Sequence, residues 1–193
     1  MDTKAFREGF RDGIPIGLGY LAVSFSLGIS AKQAGLTPLQ GFVTSFLENA
    51  SAGEYIAFTL IGAGATYIEL CLMTIIANAR YLLMSCAMSQ RFSPDTPMIH
   101  RFLVAFDLTD ELFGIAIGRP GYLNPYYSYG AFLVALPGWS IGTAAGVIAG
   151  NLLPGVPWIQ TQDVAELVRF LVSDRARYVT GSQVTLDAGL LTR

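Results

Sequence analysis

The stretch "IPIGLGYLAVSFSLGISA" (residues 14–31) decides the fold, because it carries no charged residue over a length that suits a membrane span. Pro15 stands near its start, where the first turn of a helix tolerates proline. Lipid cannot solvate charge, so a run of this kind is what a bilayer selects. The stretch therefore predicts a transmembrane helix near the N-terminus.

The rest of the chain is also poor in charge. Only 13% of the 193 residues are charged, against about 25% in typical soluble proteins, and the mean hydropathy is +0.48. The charges concentrate in the first twelve residues and beyond Trp158, which leaves an apolar centre with a polar rim. A net charge of −2 offers no basic surface for nucleic acid. The composition therefore predicts a protein of the lipid bilayer that does not bind nucleic acid.

Further apolar segments predict an all-α, polytopic integral membrane protein with about five membrane segments. The second runs over about 39–65 but is interrupted by "ENASAGE", and the third covers about 66–89. The fourth, "FLVAFDLTDELFGIAIG" (102–118), is apolar at both ends and acidic in its middle. Residues 120–162 carry no charge and contain Pro137, which suits one kinked span or a tight pair of helices. At least one segment is expected to be broken.

Polar side chains inside these segments mark candidate functional positions. A charge at the bilayer centre costs about 2.5–3.5 kcal/mol, so it needs a partner or a role. The polar, glycine-containing interruption of the second segment is typical of a broken helix, which exposes backbone groups to a substrate or an ion. The candidate residues of this interruption are Glu48, Asn49, Ser51, Gly53 and Glu54.

The third and fourth segments supply a basic group and several acids. Asn78 and Arg80 lie within an otherwise apolar run. Asp107, Asp110 and Glu111 are spaced i, i+3 and i+4, so we expect them to share one helix face. The arginine could hold the carboxylate of a zwitterion, while an acid holds the ammonium group or carries a proton. The alternative is that Arg80 pairs with one acid and only joins two helices.

Four glycines recur at every fourth position of "GWSIGTAAGVIAG" (138–150). This spacing lays them along one helix face, where another helix can approach closely. The alternative is that this face lines a substrate path. The glycines are Gly138, Gly142, Gly146 and Gly150.

Several of these stretches resemble the AzlC family of branched-chain amino acid permeases, over about residues 5–154. The resemblance is carried by "REGFRDGIPIGLGY", "NARYLLMS", "LTDELFG" and "PGWSIGTAAGVIAGNLLP". Within them stand an Asn-x-Arg motif and a Thr-Asp-Glu motif. The motif residues are Asn78, Arg80, Thr109, Asp110 and Glu111.

The resemblance implies a multi-pass protein of the plasma membrane that exports leucine, isoleucine, valine and related amino acids. It also implies a small membrane partner of the AzlD type. Many members have glycine followed by glutamine where this chain has Gly53 and Glu54, which leaves the substrate open. The family continues past "GNLLP" into further apolar helices, so we expect a truncated permease. An accessory or non-functional chain is the alternative.

The last thirty-odd residues follow a different pattern. Asp163 and Glu166 suit the capping box of a helix with one apolar stripe, and "SQVTLD" (182–187) alternates as a short strand. This tail, about 162–193, resembles the C-terminal helix and last strand of a short-chain dehydrogenase/reductase. The family's glycine-rich pyrophosphate loop is missing, as is its tyrosine followed four residues later by lysine. The chain is therefore not expected to be an NAD(P)-dependent oxidoreductase or any other enzyme.

The sequence thus predicts two unequal parts. Residues 1–154 form a permease-like membrane domain, and residues 155–193 form a tail that is not an independent domain, joined near Pro154–Trp158. No cofactor motif is present, and His100 stands alone in a polar loop, so we expect no metal site.

Overall fold

The computed structural model describes residues 2–152 and 161–176, and within them it is α-helical, with one short 3₁₀ turn and no β-strand. The chain divides into two compact units, Met1–Leu152 and Leu153–Arg193. The helices of the first unit are α1 Thr3–Gln33, α2 Pro38–Leu47, α3 Ser51–Gly62, α4 Tyr67–Ala77, α5 Arg80–Ser89, α6 Met98–Phe106, α7 Asp110–Ile117 and α8 Pro125–Leu152. The second unit contains α9 Thr161–Leu171 and the 3₁₀ turn Asp174–Ala176.

Helices α1 and α8 are long and apolar enough to cross a membrane. They run parallel in close contact, since Gly9 lies against Tyr127 and Gly28 lies against Thr143 further along both helices. Helix α8 continues through Pro137, so the uncharged region contains a single span rather than a tight pair within the described residues. We call the end of the bundle where α1 begins the first face, and the opposite end the second face.

Glycines make this close approach possible. A Cβ atom at Gly138, Gly142 or Gly146 would overlap the backbone of α1, at Gly17, Leu21 and Phe25 respectively. Small residues at such a crossing let two helix backbones come together, which is a main source of helix association in lipid. The fourth glycine of the series, Gly150, lies against the Lys32 side chain instead.

Helices α2 and α3 form a hairpin that enters from the second face and returns to it. Ser45 of α2 forms a hydrogen bond with Thr143 in the C-terminal half of α8, and their hydroxyl oxygens lie 2.6 Å apart. Helix α3 then ends with Gly62 next to Ala34, directly beyond the end of α1. The second apolar segment is therefore broken, as expected, but it does not cross the bundle.

Helices α6 and α7 form a matching hairpin from the first face. The His100 Nδ1 atom, near the start of α6, lies 2.7 Å from the Tyr129 hydroxyl oxygen. The loop after α7 returns to the same face, where Arg119 donates to Glu8 at 2.5 Å. The fourth apolar segment thus also turns back, because its acidic middle ends one helix and begins another.

The third apolar segment crosses the bundle with a break. Helices α4 and α5 together are long and apolar enough to cross a membrane, and they bend by 51° at residues 78–79. Beyond α5 the Arg91 carbonyl accepts a 2.7 Å hydrogen bond from the Leu123 amide at the first face. Among the described residues, two or three of the predicted segments can therefore cross a membrane and two are hairpins. The prediction of a polytopic protein with broken helices is confirmed.

The tail is helical at α9, where the sequence predicts a helix. The helix begins at Thr161, so Asp163 lies inside its first turn, and the prediction that this residue caps the helix from outside is wrong. The predicted strand at 182–187 and the junction near Pro154–Trp158 lie outside the described residues.

Candidate functional site

Three helix breaks come together in the middle of the first unit. They lie at residues 48–50 between α2 and α3, at 78–79 between α4 and α5, and at 107–109 between α6 and α7. Irregular backbone at this depth is tolerated only where protein buries it or a cavity meets it. Half-helix ends facing a cavity at mid-depth are also how membrane transporters bind their substrates.

A cavity of about 360 Å³ lies among the three breaks. Glu48 and Asn49 line it from the first break, Asn78 from the second and Leu108 from the third. Its volume falls within the range of about 300–1,000 Å³ that small-molecule sites occupy.

A smaller cavity, of about 60 Å³, adjoins the first, and most of the residues that line it are polar. Asn49 and Tyr81 line both cavities, so the two form one region that we call the junction site. The remaining polar residues around the smaller cavity are Tyr20, Ser51, Thr109, Asp110, Glu111 and Trp139.

An ion pair borders the junction site. Arg80 at the start of α5 lies 3.0 Å from an Asp110 carboxylate oxygen at the start of α7. The Arg80 guanidinium also stands over the Tyr81 ring, 5.3 Å from its centroid. Both charged side chains remain about half exposed, 47% for Arg80 and 45% for Asp110, and Asp110 lines the smaller cavity. The pair joins α5 to α7, which is the contact expected under the alternative that Arg80 only joins two helices.

The three carboxylates of the fourth segment do not share one helix face, and that prediction is wrong. Thr109 caps α7 by accepting from the Leu112 amide at 3.3 Å, so the helix cannot extend back to Asp107. Asp107 instead ends α6 and is buried. Only Asp110 and Glu111 open towards the junction site.

Tyr20 of α1 fixes the position of Glu111. Its hydroxyl lies 2.6 Å from a Glu111 carboxylate oxygen and 2.5 Å from the Thr109 hydroxyl. The sequence analysis did not single out Tyr20, because it lies in the charge-free run that predicts an ordinary transmembrane helix. The signal available was a phenol whose hydroxyl needs a partner once it is buried.

Glu48 and Asn78 connect the first two breaks. The Asn78 side-chain amide donates to a Glu48 carboxylate oxygen at 3.2 Å. A Cβ atom at Gly53 would overlap both of these side chains, so glycine is needed there to let them meet. Asn49 and Asp107 have buried polar atoms without a hydrogen-bond partner among the described residues.

Glu54 lies beside the junction site rather than in it. Its side chain is fully buried, forms hydrogen bonds with the Ser45 hydroxyl and with the Thr143 hydroxyl at 3.3 Å, and accepts one from the Trp139 indole at 2.6 Å. Trp139 also lines the smaller cavity and packs edge-on against Tyr20, with ring centroids 5.1 Å apart. One indole therefore separates the buried carboxyl from the site. Ser45, Thr143 and Trp139 were not candidates from sequence.

The fold and the site together define a class: a polytopic α-helical membrane protein with broken helices and re-entrant hairpins around a polar cavity at mid-depth. The chain belongs to the AzlC protein family, whose model matches residues 15–153.

The chain is similar to curated membrane proteins over most of its length. It is 28% identical over 163 residues to the inner membrane protein YgaZ of Escherichia coli, a match that covers 82% of this chain and 66% of that protein. It is 27% identical over 150 residues to the branched-chain amino acid transport protein AzlC of Bacillus subtilis, covering 76% of this chain and 58% of that protein. The chain thus spans less than two thirds of the length of these two relatives. No solved structure matches it significantly.

A separate, short similarity concerns a dehydrogenase. The (−)-trans-carveol dehydrogenase of Rhodococcus erythropolis is 49% identical over 39 residues, which is 20% of this chain and 14% of that enzyme. The resemblance of the first part to the AzlC family is confirmed, whereas the dehydrogenase similarity stays a partial match.

Proposed function

We propose that this chain carries the substrate site of a branched-chain amino acid transporter, and that the substrate binds at the junction site. The observation that carries the proposal is the Arg80–Asp110 ion pair, which is half exposed beside the junction site, with Asp110 lining the smaller cavity. An amino acid is a zwitterion, so it can insert between these two charges and satisfy both.

Each part of the substrate has a matching group. Arg80 holds the carboxylate, because a guanidinium offers paired donors to two carboxylate oxygens. Asp110, together with Glu111 held by Tyr20, accepts the ammonium group. The larger cavity has an apolar side that suits a branched aliphatic side chain, formed by Leu47, Ala50, Ala105, Phe106 and Leu108.

Direction and partner rest on the family. The resemblance to exporters supports outward transport, with a small AzlD-type subunit completing the transporter, and the name of the Bacillus subtilis relative supports branched-chain amino acids as the substrate class. The alternative is an accessory chain without transport of its own.

The test is efflux of labelled leucine from cells that lack their own exporter, with an AzlD-type partner co-expressed. Isoamylamine lacks the carboxylate of leucine and isocaproate lacks its ammonium group, so each leaves one charge of the ion pair without a partner. An unpaired charge of this kind costs about 1–3 kcal/mol. We therefore expect each analogue to compete at least about fivefold less well than valine or isoleucine.

Two outcomes contradict the proposal. Competition by isocaproate equal to that by valine would show that the ammonium group is not recognised. No efflux at all, although the chain reaches the membrane with its partner, would favour the accessory alternative.

A further inference from the structure

The Glu54 carboxyl is enclosed by three elements of the fold. It belongs to α3, Ser45 comes from α2, and Thr143 and Trp139 come from α8. No part of the Glu54 side chain reaches the surface. We call these four residues the Glu54 cage. The cage ties the α2–α3 hairpin to the long helix α8.

The charges around the cage do not neutralise a carboxylate. The charged side chain that acts electrostatically on Glu54 is Glu48 at the hairpin tip, which is also an acid and therefore repels a carboxylate. Helix α8 carries no charged residue, α1 presents the phenol of Tyr20, and on α4 the acid Glu69 caps the exposed start of the helix at the second face. An ion buried without an opposite charge costs several kcal/mol, so the neutral form of Glu54 is the favoured one.

The number of hydrogens available for these contacts also favours a protonated Glu54. Glu54, Ser45 and Thr143 form a triangle of oxygens, in which Ser45 contacts Glu54, Thr143 lies 2.6 Å from Ser45, and Thr143 lies 3.3 Å from Glu54. Each of these three contacts needs one hydrogen, but the two hydroxyl groups supply only two. A protonated carboxyl supplies the third, while the Trp139 indole donates to the other carboxyl oxygen.

We propose that Glu54 is a proton-binding site of this protein, which rests on the proposed function for its role in transport. With the hairpin closed on α8, Glu54 is a carboxylic acid. When α2 and α3 move away from α8, water reaches the carboxyl group and its proton passes to that water, which leaves a carboxylate. Uptake of one proton from water returns the acid and allows the cage to close.

The cage also has a route to the substrate. Trp139 donates to Glu54 and lines the smaller cavity beside Tyr20. A substrate that shifts this indole therefore weakens the cage, and closure of the cage reshapes the site. This shared side chain couples one proton to one substrate.

The transport test uses the full chain with its partner in proteoliposomes. Labelled leucine is measured in two modes, exchange at equal concentrations and net transport driven by a pH gradient. Glu54→Gln keeps an amide of the same shape in the cage but cannot release a proton. We expect exchange within about twofold of wild type and net pH-driven transport lowered at least about tenfold.

Glu69→Gln is the matched control, because Glu69 is exposed and its role is to cap α4. We expect it to leave both modes unchanged. Retention of pH-driven transport by Glu54→Gln would overturn the proposal. A pH gradient without effect on wild type, with a sodium gradient driving transport instead, would also overturn it in favour of a metal cation.

A second measurement does not depend on transport. The infrared spectrum of the purified protein at neutral pH is expected to contain the carbonyl band of a protonated carboxyl that disappears in Glu54→Gln. Trp139→Phe keeps the carboxyl but removes one donor, so we expect the band to shift to higher frequency. Absence of a band that depends on Glu54 would overturn the proposal, whereas its presence without any transport would overturn the proposed function alone.

Discussion

Gly28→Leu is expected to prevent the assembly of α1 with α8. A Cβ atom at this position would overlap the Thr143 carbonyl oxygen and lie 2.8 Å from the Gly146 Cα atom. The leucine side chain would therefore collide with the backbone of α8. Overpacking of a well-filled interior costs about 1–3 kcal/mol even where flexible side chains can yield. Here the backbone of α8 must move, so we expect a loss of stability at or above the upper end of that range.

Gly19→Leu is the matched control on the same helix. Gly19 is exposed, and a Cβ atom there meets nothing within 4 Å. The measurement is the fraction of protein that remains monodisperse in detergent, together with the midpoint of its thermal unfolding. Equal behaviour of the two leucine variants would mean that α1 and α8 do not pack through this glycine face.

Arg80→Ala is expected to have the largest effect on transport among substitutions at the junction site. It removes the cation proposed to hold the substrate carboxylate and leaves Asp110 without its partner. A hydrogen bond to a charged group contributes about 1.5–3 kcal/mol, which corresponds to a loss of about 10- to 150-fold in affinity. Leucine efflux at low substrate concentration measures that loss.

Arg7→Ala is the control, because Arg7 is exposed on the first turns of α1, far from the junction site. Arg80→Lys keeps the charge but not the planar fork of donors, so an intermediate loss is expected. If Arg80→Ala exports leucine as wild type does, the Arg80–Asp110 pair only joins α5 to α7.

The sequence revealed the charged members of the site but not their neutral partners. Glu48, Arg80 and Asp110 stand out because charge is costly in lipid. Tyr20, Ser45, Thr143 and Trp139 do not, because hydroxyl and indole groups are common on membrane helices and their partners lie far away along the chain. Local spacing also failed at Asp107, since a helix cap at Thr109 separates it from Asp110.

The two hairpins were hidden for a similar reason, although the sequence contains a trace of them. Thr37, Glu48 and Ser51 of the first hairpin recur as Thr96, Asp107 and Asp110 of the second, each 59 positions later. Glu48 and Asp107 each end the entering helix, and Ser51 and Asp110 each begin the returning one. Hydropathy alone records apolar length and cannot tell a hairpin from a span, because both bury the same kind of residue.

This repetition places two similar hairpins on opposite faces of one bundle. Repeats of inverted orientation around a mid-membrane site are typical of transporters that alternate access between two sides. The hairpins differ at one position, since Glu54 in the first corresponds to Phe113 in the second. Only the first hairpin therefore has a buried carboxyl of its own at this position.

The most direct test of the central claim is protection of the junction site by its substrate. Ser51 lines the smaller cavity, so Ser51→Cys, with Cys71 and Cys86 replaced by serine, reports on that cavity through a water-soluble thiol reagent. At ten times its dissociation constant, leucine occupies about nine tenths of the sites and should slow labelling about tenfold. Labelling of Ser89→Cys, at the other end of α5, should not change. A labelling rate at position 51 that leucine leaves unchanged, in protein that still transports leucine, would contradict the account.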